Sequence, residues 1–340
     1  MGLFDIFKKR KTATTFPENE LERCLMDIAT SASKQKEFFQ KLLWSELFVM
    51  EIAPPGMEDG LHPPEENTRA LLMTLEGGQI PIFTSGNRIF DQGVLNKGVL
   101  YMTFRGQDLF EMTKGASFVL NPYSDHGREF PPETIEALLD GSIYEKIDEY
   151  EAEERRIAEF VEIYERASKR QEKLIYLDGY KIKDVKPAEK LALEESIADF
   201  QKCLEMVPNH WQSMVLLARA LQRLRRHAEA LQLLESACKI ELDNHTIPME
   251  ASTEAVHMKD VDKALYYSTE ALRRAPKDSA TMGNHAMNLL LAHRDIEAQE
   301  TIEEALRLQP DDSVNRHIES IVNGVLSGER ERPTFEELVK

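Results

Sequence analysis

In the stretch SFVLNPYSDHGREFPPETIEALL, from Ser117 to Leu139, Ser124, Asp125 and His126 stand side by side. They are the residue types of an acyl-transfer triad: a hydroxyl nucleophile, an imidazole base and a carboxylate that orients it. A working triad draws its groups from separate segments so that they converge on one point. Three consecutive loop residues point in different directions, which favours architecture over catalysis. Elsewhere the chain has no GxGxxG, P-loop, HExxH or EF-hand pattern. Its nine histidines are scattered without metal-ligand spacing. The expectation is therefore no enzyme, no metal and no cofactor. Arg223, Arg225, Arg226 and His227 form the one internal basic cluster, and without interleaved aromatics it is a poor nucleic-acid site.

The elements that position these residues follow from the totals and from the pattern. A chain of 340 residues has room for about two domains. A formal charge of −18 argues against binding of nucleic acid or anionic lipid by the body of the protein. Between Glu129 and Arg166 stand 13 acidic residues against 4 basic ones, which reads as a solvated helical face. Cys24, Cys203 and Cys238 are odd in number and far apart, so neither a disulfide framework nor a CxxC site is expected, and a reducing cytoplasm fits. The apolar runs are too short to span a membrane. The opening MGLFDIFKKRK could touch a membrane surface through residues 1–11, or dock on protein, or stay disordered; Ile6 stands where a myristoylation signal needs Ser or Thr.

Glu18 to Leu43 has helical periodicity through Leu21, Cys24, Leu25, Ile28, Phe38, Phe39 and Leu42. LFVMEIA, QIPIFTS, VLYMTF and SFVLNP then read as strands around a helix at Gly106 to Lys114, and Pro131 and Pro132 open another helix. The expected first domain is α+β, a mixed or antiparallel sheet with flanking helices. From about Glu145 a long charged helix carries Ile147, Tyr150, Ile157, Val161 and Tyr164 as one apolar stripe. The expected division is a basic amphipathic tail at 1–16, the α+β domain at 17–144, a connecting helix and linker at 145–187, an all-α repeat domain at 188–328 and a tail at 329–340.

The repeat is a matter of spacing. Pro208, Pro276 and Pro310 fall on a 34-residue period, with Leu242 in the remaining slot. Small residues keep the same step at Ala230, Ala264 and Ala298, at Ala237, Ala271 and Ala305, and at Ala218, Ser252 and Ala286. Phe200, Leu234 and Ile302 form a bulky column from which Ser268 departs, suggesting a looser joint there. This resembles the tetratricopeptide (TPR) pattern, in which each unit is two antiparallel helices whose axes approach at the small residues. Units are expected at 211–244, 245–278 and 279–312, after a partial one and before a solvating helix at Ser313 to Leu326. The resemblance implies a superhelix with a concave groove for a protein or peptide partner. The period places Gln212, Val215, Arg219, Gln222 and Arg223, then Met249, Val256 and His257, then Met287, Leu290 and Leu291 along it. That set lacks the Lys/Asn pattern of a carboxylate clamp, and Leu290, Val256 and Met287 could instead be core.

The blocks ENELERCLMDIATSASKQKEFFQKLLWSELFVM, IPIFTS and DLFEMTKGASFVLNPYSDHGREFPPETIEALL resemble the N-terminal domain of the SseB (enhanced serine sensitivity) family over Glu18 to Leu139. Phe83, Thr84 and Ser85, Phe110, Glu111 and Met112, and Asn121, Gly127, Glu129 and Phe130 carry the likeness. The family implies no settled enzymatic activity. Asn121 and Gly127 fit turn positions, with glycine supplying positive φ. The candidate site here is a small-molecule or peptide pocket near Thr84, Ser85 and Asn121, with Gly127 and Glu129 beside it, against a purely scaffolding loop. Together the two resemblances imply a bacterial, cytoplasmic, non-enzymatic adaptor or scaffold that allows a homo-oligomer. The alternatives are an immunity or inhibitor protein neutralising a basic toxin, and a small-molecule-sensing regulator.

Overall fold

A computed structural model describes residues 16–28, 30–52, 71–95, 99–175 and 184–338. The opening tail at 1–11 lies outside the described residues. The chain divides into two units, Met1–Arg155 and Arg156–Lys340.

In the first unit, α1 (Glu20–Asp27) and α2 (Ala32–Trp44) begin at side-chain caps, Asn19 accepting from the Glu22 N–H and Ser31 from the Lys34 N–H. Such caps satisfy the orphan amides of a first turn. Among the described residues five strands follow, β1 (Glu46–Glu51), β2 (Ile80–Phe83), β3 (Leu100–Arg105), β4 (Phe118–Leu120) and β5 (Arg128–Phe130), with α3 (Gly106–Met112) between β3 and β4. The sheet order is β3-β1-β2-β4-β5. All neighbours are antiparallel except β2 and β4, so the sheet is mixed. The three-residue β5 has no periodicity of its own, and pairing with β4 is what makes it a strand.

Alternation along each strand sorts side chains to two faces. Leu47 and Val49, Ile80 and Ile82, and Phe118 and Leu120 join the helical core with Phe38, Phe39, Leu42 and Phe110. Met50, Phe83 and Tyr101 face a smaller cluster with Ile89 on the 3-10 turn Arg88–Gly93. α4 (Pro132–Asp140) starts with proline in its first turn and stops at Gly141, whose φ of 85° is left-handed.

The long helix α5 (Ser142–Gln171) corrects the expected stripe. Ile143 and Ile147 are buried with the first unit's core, and Ile163 and Ala167 are buried further on, whereas Tyr150, Ile157 and Val161 are exposed. No single buried stripe therefore runs through it.

The second unit is built of helix pairs. After α6 (Pro187–Met206) come α7 (Trp211–Arg223) with α8 (His227–Ile240), α9 (Thr246–His257) with α10 (Val261–Arg274), α11 (Ser279–Leu291) with α12 (Asp295–Leu308), then α13 (Ser313–Ser327) and the short α14 (Phe335–Leu338). The alanines of the three small columns are buried to 1% exposure or less, where a larger side chain would separate the helices. Pro248 falls in the first turn of α9, where it is tolerated. Ser268 is buried and hydrogen-bonded to His285 Nδ1 at 2.8 Å, so the expected loose joint is a polar contact instead.

The final turns of α5 complete a fourth pair. Ser196 Oγ donates to the Ala167 carbonyl as Ser252 Oγ donates to that of Ala264, and Arg166, Arg170 and Glu159 pair with Asp199, Glu195 and Lys202 of α6. Ala167 and Ser196 stand 29 residues apart where the later units have 12, so the unit read as partial is a whole hairpin with 17 more residues in its loop.

Two further columns keep the period of 34 residues. His210, Asn244, Asp278 and Asp312 each accept a backbone N–H at the start of the next helix. Arg225, Lys259 and His293 have φ near 60° at the end of a first helix, and the N–H of the next residue reaches back to the carbonyls of Leu221, Ala255 and Leu289 at 2.9 Å. This is a glycine's place held by side-chained residues, and the left-handed region costs them roughly 1–2 kcal/mol. His293→Gly is therefore expected to stabilise the second unit by about 0.5–1 kcal/mol, part of the gain being offset by glycine's extra freedom in the unfolded chain. Urea unfolding followed at Trp211 measures it; no gain would mean that the exposed imidazole makes compensating contacts.

Candidate functional site

The Ser-Asp-His loop separates its three side chains. Asp125 accepts from Gln92 Nε2 at 2.9 Å, the His126 ring stacks on Phe16 at 4.2 Å, and Ser124 Oγ accepts the His126 backbone N–H at 3.2 Å. Asn121 takes the left-handed φ of 47° that lets the chain turn. Gly127 does not, which corrects the expected role of its flexibility: a Cβ there would lie 3.1 Å from the Asn121 carbonyl oxygen, so close approach is what calls for glycine.

Thr84 and Asn121 follow the carboxyl ends of the two parallel strands, β2 and β4. Their groups meet inside the fold. The Thr84 N–H donates to Asn121 Oδ1 at 3.0 Å, and Thr84 Oγ1 donates to Glu22 Oε1 at 2.5 Å. Glu22 is fully buried and takes Arg88 Nε at 2.9 Å and Nη2 at 3.4 Å, while Arg88 Nη1 reaches Asp91 at 3.2 Å. Burial holds the Asp91 carboxyl above its ordinary range against the pull of Arg88. Ser85 Oγ donates to Glu18, and the Arg88 guanidinium lies 5.0 Å over the Phe16 ring. Of the residues placed in this pocket, Thr84 and Asn121 are buried in the network, Ser85 is at its edge, Gly127 closes the turn and Glu129 is exposed on β5. The network ties α1 to the sheet across more than 60 residues of sequence.

Along the first helices of the repeats, Gln212, Arg219, Gln222, Met249, His257 and Met287 are half-buried, whereas Arg223, Val256 and Leu290 are buried. Arg219 pairs with Glu250 at 2.6 Å, joining α7 to α9. Arg223 Nε donates to the Leu174 carbonyl at 3.0 Å and borders a cavity of about 390 Å³ with Lys190, Glu194 and Arg226. The C-terminal segment returns to this domain. Arg332 donates to the Leu290 carbonyl and forks onto Asp295 at 2.7 and 2.9 Å, Pro333 is buried, and Phe335 packs against the core cluster that contains Val256 and Leu291.

One constellation was illegible in the sequence. His227 at the start of α8 and Glu254 and His257 on α9 bring their ligand atoms within 4.8 Å of one another. His227 Nδ1 lies 2.7 Å from Glu254 Oε2, and the two imidazoles stack at 4.0 Å. Burial, then His227 and Arg225, push the His257 imidazole down to about 4, so it is neutral at ordinary pH. A spacing of 27 residues between ligands carries no signal until the helices are paired.

The SseB protein N-terminal domain model matches residues 21–137. Among solved structures, the crystal structure of YrrB, a TPR protein with an unusual peptide-binding site, is 17% identical and covers 43% of this chain and 74% of its own, with a TM-score of 0.37. MamA from Desulfovibrio magneticus RS-1 is 13% identical over 49% of this chain and 86% of its own, at a TM-score of 0.41. A tetratricopeptide repeat protein from Parabacteroides merdae is 14% identical over 49% of this chain and 61% of its own, also at 0.41. No curated protein matches the chain. The repeat assignment stands on the 34-residue period and on the helix pairs themselves. Residues 21–137 thus match the SseB protein N-terminal domain model, and tetratricopeptide-type helix pairs follow them.

Proposed function

We propose that this protein is a non-enzymatic adaptor that binds a protein or peptide segment along the first helices of its repeats, with the SseB domain as a second binding module. The observation that supports this reading is the chain's own C-terminal segment. The stretch from Arg332 to Phe335 is held by a backbone carbonyl of α11, by Asp295 and by the apolar cluster containing Val256 and Leu291. A surface that anchors one short segment by a cation, a carbonyl and an aromatic ring has the chemistry to hold another. The half-buried Gln212, Arg219, Gln222, Met249, His257 and Met287 supply the contact row, and the buried Arg223, Val256 and Leu290 set its shape. In the SseB domain Thr84, Ser85 and Asn121 already bond to Glu22, Glu18 and each other, which favours a scaffolding role for Gly127, Glu129 and their loop over a small-molecule sensor.

The test is capture of partners from the native cell by the full chain and by a Gln222→Glu, Met249→Glu variant with unchanged helical circular dichroism. The expected result is a partner retained by the parent and reduced at least about tenfold by the variant, the loss of one interfacial anchor. Equal capture by both would remove the groove from the reading. The acidic run Glu129 to Arg166 keeps the inhibitor of a basic toxin as a second reading, for which the captured partner would be strongly basic and its release would follow rising salt.

A further inference from the structure

The junction between α8 and α9 differs in kind from the next one along the stack. One period after His227, Glu254 and His257 stand Val261, Asn288 and Leu291. Leu291 is buried and Val261 half-buried, and the buried Asn288 donates to Ser252 Oγ at 2.7 Å, so there the fold fills two of the places with aliphatic side chains and the third with a satisfied, uncharged amide. Here they hold two imidazoles and a carboxylate. Glu254 is only 3% exposed, and burying a carboxylate is costly unless a cation or donor compensates it.

We propose that His227, Glu254 and His257 form a binding site for a divalent transition ion of the Zn²⁺ class. Two nitrogens and one carboxylate oxygen are the donor set that such borderline ions prefer, and three protein ligands leave a fourth position for water or a group from a partner. Glu254 and His257 are three residues apart on α9 and so share a helical face, which α8 meets with His227. Ligand atoms already within 4.8 Å can close around an ion at about 2.0–2.2 Å by side-chain rotation, without moving the helices. The stacked rings lie 9° from parallel, and their lone pairs lie in the ring planes, so one ring must turn to converge with the other. His227, with 19% of its side chain exposed, faces enough solvent to do so. Arg225, exposed on the α7–α8 turn, is a positive neighbour that lowers the affinity.

The experiment is calorimetric titration of the metal-stripped full chain with Zn²⁺, repeated with Co²⁺ while following its visible absorption. The variants are His227→Val, Glu254→Asn and His257→Leu, each giving the residue that the next repeat carries, so each is expected to fold. The expected result is one Zn²⁺ per chain with intense Co²⁺ bands typical of low coordination number. Each variant should weaken binding at least about 100-fold, since even an outer-shell partner is worth 10–100-fold. Metal at 100 times its dissociation constant should also raise the unfolding midpoint of the parent by about 5 °C or more and leave the variants unmoved. Absence of saturable binding, or binding that survives in folded variants, would overturn the site. If a variant loses its helical signal, the other two decide the outcome.

Discussion

Replacing Arg88 by leucine is expected to destabilise the first unit by about 3–5 kcal/mol, because a buried charge then loses its partner. Glu22 is completely buried, and in the parent it accepts from Arg88 Nε and Nη2 as well as from Thr84 Oγ1. Without the guanidinium, the carboxylate keeps one hydroxyl and the Glu18 N–H against the full cost of desolvation. The chain has two tryptophans, Trp44 in the first unit and Trp211 in the second, so the loss can be assigned. Denaturant unfolding in a Trp211→Phe background should show an early transition at Trp44, while in a Trp44→Phe background the Trp211 transition should be unmoved. A double variant, Arg88→Leu with Glu22→Leu, should recover part of the loss, since two aliphatic side chains bury without an unpaired charge. A change below about 1 kcal/mol for the single variant would mean that the network is solvated and does not fasten α1 to the sheet.

Arg274→Met should have the comparable effect on the second unit, about 2–4 kcal/mol. The Arg274 side chain is 3% exposed, and its guanidinium donates to the carbonyls of Glu241 at 2.7 Å, Asn244 at 3.1 Å and Cys238 at 3.0 Å. It thereby closes the turn between α8 and α9, where Leu242 stands in the slot that Pro208, Pro276 and Pro310 fill in the other units. A proline there would stop the helix through its own ring, and the arginine does the work from outside. Methionine fills the volume and leaves those carbonyls short of donors.

The same clamp gives a pH dependence. Hydrogen bonds from Arg273 first, and from Arg274, hold the Glu270 carboxyl down at about 2, below its ordinary 4.5. A folded-state value below the unfolded one means stability that is present above pH 4.5 and lost as the pH falls toward 2. With the carboxylate about a quarter exposed, solvent screening reduces this to about 1–2 kcal/mol. Glu270→Gln should therefore lose about that amount at pH 7 and show a shallower acid limb between pH 4.5 and 2. Urea midpoints of the Trp211 transition at pH 7, 4.5 and 3 test it, and parallel acid limbs for parent and variant would contradict it.

The second unit was legible because its determinants recur. Columns at Ala230, Ala264 and Ala298 and at Pro208, Pro276 and Pro310 mark every place where two helices must touch or one must end, so a period suffices to find them. Four of the five described strands were legible too, being short runs rich in Val, Ile, Phe and Tyr bounded by turn residues. What stayed hidden depends on pairing between distant segments. β5 exists only against β4. The last turns of α5 pack as the first helix of a repeat whose loop is 17 residues longer than the others, which displaces it from the period. Glu22 and Arg88 lie 66 residues apart, and His227 lies 27 from Glu254, with no local pattern to join them.

By itself the amino-acid sequence determined the helical repeat, the α+β class of the first domain and the acidic balance, since propensity, periodicity and composition are properties of neighbours along the chain. Tertiary structure alone decided which polar side chains share a buried site. Burial makes a carboxylate choose its partner from whatever the packing brings within 3 Å, regardless of where that partner stands in the sequence.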